Sequence, residues 1–135
     1  MRAIMADNDI RGHMAILARA LLSDDWREIW LSLNLPIWSF ADLSLTADAS
    51  DAAVWHACQR DEVILITGNR NDDGDDSLQA TIQTHHTRAS LPVFTISEPK
   101  RVMRSPDYAN RVVESLLQYL LDIDNVRGAG RLWLP

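Results

Sequence analysis

The sequence predicts an α/β fold: a three-layer sandwich whose mainly parallel sheet, four to five strands wide, carries helices on both faces. Two patterns predict it. Short apolar runs at residues 2–6, 36–40, 63–67 and 92–96 read as strands, and the first is continuous rather than alternating, as in a strand covered on both faces. Segments between the runs repeat apolar residues at three- and four-residue spacing. Strands alternating with helices imply right-handed crossovers and parallel pairing.

Each element has its own signal. Residues 2–6, RAIMA, form the first strand and end at Asp7. Asp9 is placed to cap the next helix, residues 10–22, whose stripe is Ile10, Met14, Leu17, Ala18, Leu21 and Leu22. Ser23, Asp24 and Asp25 restart a second helix along Trp26, Ile29, Trp30 and Leu33, stopped by Asn34 and Pro36. Residues 36–40, PIWSF, read as a short strand opened by proline. Asp48 or Ser50 caps a helix with Ala52, Val54, Trp55, Ala57 and Cys58 as its body. The strand 63–67 follows, and Asp75 or Asp76 caps a helix over residues 77–86. Residues 92–96, PVFTI, are the fourth strand, broken by Glu98 and Pro99. Pro106 opens a long helix to about residue 123. Its apolar face is wider than one sheet surface needs, so it is buried centrally or forms a homodimer contact. Residues 131–134, RLWL, are an edge strand or a docked tail.

At 135 residues the chain fits one domain, residues 1–135. Hydrophobic residues make up 47% and charged residues 24%, which argues against disorder. The single Cys58 excludes an internal disulfide and a cysteine-rich zinc site; its apolar helical context reads as a small buried hydrophobe. Residues 1–10 lack a basic segment followed by an apolar run, so no signal peptide is expected. No apolar stretch approaches the roughly 20 residues that span a bilayer, and a cytoplasmic location is the default expectation. A net charge of −6 argues against a broad grip on nucleic-acid phosphates. It leaves room for a metal-dependent nuclease, because a bound cation restores attraction to phosphate.

The strand 63–67 runs into Gly68 and then a stretch rich in Asn and Asp, ending near Ser77. In a parallel sheet all strand ends of one polarity share an edge, so Asp7, the 48–51 turn and the 68–76 loop can converge there. Carboxylate and amide oxygens are hard ligands suited to Mg²⁺ or Mn²⁺. The plain alternative is that these acids cap helices and solvate a loop. As a calcium loop the stretch fails: Asn69, Asn71, Asp73 and Gly74 fall at positions one, three, five and six of an EF-hand, but position twelve is Ala80 and a strand precedes it. No phosphate-binding glycine loop and no nucleophile elbow occurs. Trp26, Trp30 and Trp55 lie on apolar helix faces; Trp38 and Trp133 are placed for exposure.

Asp7-Asn8-Asp9-Ile10 after an apolar strand resembles the LLDENL opening of the short prokaryotic PIN-like proteins. Ala49-Ser50-Asp51 at a helix start, with Val63 to Thr67 and a polar loop, is similar to that family's ASDEEI and ILVTxDxDF section. The likeness covers roughly residues 2–12 and 48–72. It implies the PIN-like form of the α/β sandwich and a Mg²⁺- or Mn²⁺-dependent ribonuclease, often a toxin held by an antitoxin protein. By position, Asp7 and Asp51 would be metal-binding acids. Asn69 and Asn71 stand where the family has Asp, which weakens cation affinity, and Asp72 would compensate. The resemblance thus implies Asp7, Asp9, Asp51, Asn69 and Asp72 as metal ligands, with Asp7, Asp51, Asn69 and Asp72 in catalysis. Arg70, Asn71 and Asn8 would contact the RNA. The second reading is a catalytically inactive PIN-like module that binds a protein or nucleic acid.

Overall fold

The computed structural model describes residues 1–135. Five strands, β1 (Ala3–Ala6), β2 (Ile37–Trp38), β3 (Val63–Thr67), β4 (Val93–Ile96) and β5 (Arg131–Leu134), form one sheet in the order β2-β1-β3-β4-β5. Every neighbouring pair is parallel. Helices α1 (Arg11–Leu21), α2 (Arg27–Leu33), α3 (Asp51–Arg60), α4 (Leu78–His85), α5 (Pro99–Arg104), α6 (Pro106–Leu121) and α7 (Ile123–Val126) connect them. No helix is long and apolar enough to cross a membrane.

The pleat divides the strand residues between two cores. Ile4, Ala6, Ile64, Ile66, Phe94 and Ile96 point to one face, where α1 and α6 cover them. Ala3, Met5, Val63, Leu65 and Val93 point to the other, against Val54, Trp55 and Cys58 of α3 and Leu78 and Ile82 of α4. Strands covered on both sides need continuous apolar sequence, and β1, β3 and β4 have it. The wide face of α6 is consumed in the first core: Tyr108, Val112, Val113, Leu116, Leu117 and Leu120 are all buried, and Leu121 is the large apolar side chain of this helix left exposed.

Several elements differ from expectation for local reasons. The residues before α1 form a separate 3-10 turn, Asn8–Ile10, and its cap is Asp7 rather than Asp9. β2 is only two residues long, because Pro36 offers no N–H and Ser39 and Asp42 close a capping box that starts a second 3-10 turn, Phe40–Leu43. Ser50 caps α3, and Ser77, not Asp75 or Asp76, caps α4 by accepting from Ala80 N–H at 3.1 Å. Glu98 and Pro99 do more than end β4: Pro99 is the first residue of α5, where its missing N–H costs nothing. Residues 131–134 are a full parallel strand.

Candidate functional site

β1 and β3 are the pair at which the strand order reverses. The chain leaves β1 for the edge strand β2 and returns on the opposite flank as β3. Open parallel sheets form their ligand crevice outside the carboxyl ends of such a pair. Asp7 follows the last residue of β1, and Thr67 is the last residue of β3. Both are buried, Asp7 at 9% exposure and Thr67 at 0%.

Asp7 is held from three directions. Its N–H donates to the Ile66 carbonyl at 2.8 Å. Its Oδ1 accepts from Asn8 N–H at 2.8 Å, and its Oδ2 accepts from Thr67 Oγ1 at 2.8 Å. The same hydroxyl lies 3.4 Å from Asp9 Oδ1 and accepts from Asn69 N–H at 2.9 Å. A threonine has one hydroxyl proton, and the shorter approach claims it for Asp7. Asp9 is left with Gly68 N–H, 3.1 Å from its Oδ2. Gly68 is required here by close approach: a Cβ would stand 2.8 Å from Pro99 Cγ and 3.0 Å from Asp9 Oδ2.

The electrostatics follow from this crowding. Burial holds the Asp7 carboxyl above its usual range, against the bonds from Thr67 and Asn8, and the Asp51 charge adds a smaller push upward. Asp9 is also raised, first by its loss of water and then by the Asp7 charge, with Gly68 and Thr67 opposing. Two neighbouring carboxylates are therefore kept in a state that disfavours their ionised forms.

Asp51 opens α3 and reaches across to the loop after β3. Its Oδ2 accepts from Asn69 Nδ2 at 3.0 Å and from Leu78 N–H at 3.2 Å, while Oδ1 accepts no hydrogen bond from the protein. Asn69 is used on every side: its Oδ1 accepts from Asn71 N–H at 2.8 Å, and its carbonyl accepts from Arg131 Nη1 at 2.8 Å. Arg131 comes from β5, a strand with no counterpart among the expected site residues. It also donates to Thr95 Oγ1 at 2.5 Å and to Gln79 Oε1 at 3.0 Å, and its Nη2 is enclosed without a partner. Burial lowers its affinity for a proton, and the Asp51 charge raises it.

The sheet edge thus gathers Asp7, Asp9, Asp51 and Asn69. Asp72 stands apart, exposed on the loop with no hydrogen bond to the cluster. Asn71 serves the loop itself, its Oδ1 accepting from Asp73 N–H at 3.0 Å. Asn8 donates to the Ala47 carbonyl, and Arg70 lies over the Trp133 ring at 5.9 Å while lining a groove shared with Asp9. Two participants were not anticipated. Thr67 carried a signal, a hydroxyl at the end of an otherwise aliphatic run. Arg131 carried one too, a cation inside a short strand.

No three His, Cys, Asp or Glu side chains are arranged closely enough to cage an ion by themselves. The donors are nevertheless of one chemical kind, hard oxygens, and the unbonded Oδ1 of Asp51 and the crowded Asp7–Asp9 pair are those that a cation would relieve. Among known proteins, no family model, no curated protein and no solved structure matches this chain.

Proposed function

We propose that the protein is a divalent-metal-dependent ribonuclease of PIN-like type, with its reacting centre at the ends of β1 and β3. The observation that carries this reading is the Asp7–Asp9 pair: two carboxylates crowded around one hydroxyl at the reversal point of the sheet, both with raised proton affinity. A fold gains nothing in stability from such a pair, and a cation of charge two removes the conflict.

Asp7 and Asp51 would hold Mg²⁺ or Mn²⁺, with Asp9 beside them. Such ions keep several waters and take only one or two protein carboxylates, so a complete cage is unnecessary. When bound, the ion supplies a water of lowered pKa and neutralises charge on the attacked phosphodiester. The chain's own residues do the positioning. Thr67 fixes the Asp7 carboxylate, Asn69 fixes Asp51, and Arg70 stands on the side from which a phosphate would enter.

One observation favours a non-catalytic binding module instead. Asn69 puts a neutral amide, already bonded to Asp51, where the resembling family has an acid. The two readings separate in one assay. Cleavage of a single-stranded RNA in millimolar Mn²⁺, lost in Asp7→Asn and in EDTA, supports the ribonuclease. Binding of RNA with no cleavage in Mn²⁺ or Mg²⁺ supports the module.

A further inference from the structure

A groove of about 600 Å³ lies between the start of α1 and α5, immediately beside Asp9. Its walls hold Arg70, Lys100, Arg101 and Arg104 against the carboxylates of Asp9 and Glu98. In a chain with a net charge of −6, this is a local reversal of sign. Lys100 and Arg104, four residues apart, share one side of α5. Neither they nor Arg70 is paired with an acid, whereas Arg101 is engaged by Glu98 at 2.8 Å and lies over the Tyr108 ring. Unpaired, exposed cations facing one another across a groove repel unless an anion joins them. A second observation points the same way. His13 also lines the groove, and its Nδ1 is enclosed with no hydrogen-bond partner.

We infer that this groove binds the phosphates of single-stranded nucleic acid. The choice of a phosphodiester strand over an acidic protein segment comes from Trp133. It is 47% exposed, and Arg70 of the groove and Arg131 both lie over its ring, at 5.9 Å and 5.7 Å. Cations tracking a backbone beside an open aromatic face are the requirements of a single strand, whose bases stack while its phosphates are gripped. An acidic peptide has no use for the ring. The groove would bring a strand's phosphate next to Asp9, so the inference rests on the ribonuclease reading for its purpose. Its binding is nevertheless independent of metal.

The test is fluorescence anisotropy of a labelled single-stranded RNA about twelve nucleotides long, long enough for a site of this kind, in EDTA. Three proteins are compared: wild type, Lys100→Glu with Arg104→Glu, and Arg19→Glu with Arg88→Glu. The last carries the same charge change away from the groove, and melting curves establish that all three are folded. The groove variant is expected to bind at least tenfold more weakly, with a logarithmic salt slope shallower by about 0.7 for each phosphate it no longer neutralises. The remote variant should stay near wild type. Absence of binding by wild type, equal binding by the groove variant, or an equal weakening in the remote variant would overturn the inference. So would displacement of the RNA by polyglutamate at matched charge concentration. Manganese-dependent cleavage is scored separately. Cleavage retained with unchanged binding in the groove variant removes the groove but leaves the ribonuclease. Groove-dependent binding with no cleavage by wild type does the reverse.

Discussion

Asn69 donates its side-chain amide to the Asp51 carboxylate across 3.0 Å, tying the exit of β3 to the first turn of α3. The bond works because the partner is neutral. Asn69→Asp replaces an attraction by two carboxylates at hydrogen-bond distance. Without metal, the variant should lose about 1–3 kcal/mol, the usual cost of breaking a charge-assisted bond and leaving its acceptor unmatched. Millimolar Mn²⁺ should return its melting temperature to that of wild type or above. Melting curves with and without Mn²⁺ check this; a variant as stable as wild type in EDTA contradicts the geometry.

Asp7 and Asp9 give stability a definite pH dependence. Both carboxyls have raised pKa values in the fold, so the folded chain holds protons that the unfolded chain has released. Their contribution is full below the ordinary carboxylate range and is lost as pH rises through the raised values. Asp7→Asn keeps a cap for Asn8 and a partner for Thr67, and it removes one charge. In EDTA at neutral pH it should be more stable than wild type by about 1 kcal/mol, or about 4 °C in a chain of this size. The difference should vanish near pH 4. A destabilised Asp7→Asn at neutral pH would show that the carboxylate's role is structural.

Gly68 is fixed by space. A methyl group there meets the Pro99 ring and the Asp9 carboxylate at once. Gly68→Ala should therefore cost about 1–3 kcal/mol, as overpacking does. It should also lower manganese affinity, because relief of the clash moves Asp9. Denaturant titration and manganese binding read the two effects separately.

Cys58 is buried at 1% exposure, and burial, with the charges of Asp7 and Asp61, pushes its thiol up to about 12. A thiol reagent at neutral pH should leave the native protein unmodified for hours and react at once with the chain in denaturant.

Much of the fold was legible because it depends on periodicity. The runs that became β1, β3 and β4 are apolar throughout, and the stripe on α6 is continuous, so burial on both faces of the sheet could be read directly. The caps were less legible. Asp7 rather than Asp9, and Ser77 rather than Asp75 or Asp76, took those roles, since neighbouring residues of equal propensity are separated only by backbone angles. At the site, Asp7 and Asp51 could be located from their places at a strand end and a helix start. Thr67 and Arg131 could not, because their roles depend on β3 and β5 meeting β1 and β4 in space. Asp72 illustrates the converse: its acidity is visible in the sequence, but the Asn69 and Asn71 side chains fold the loop on itself and leave it outside the cluster.

The most direct measurement is an anomalous difference map from a crystal soaked in Mn²⁺. One peak should lie about 2.1 Å from oxygens of both Asp7 and Asp51, the distance expected for an octahedral ion of this kind. No peak at the ends of β1 and β3, or a peak confined to the acids of residues 72–76, would contradict the metal site and with it the proposed ribonuclease.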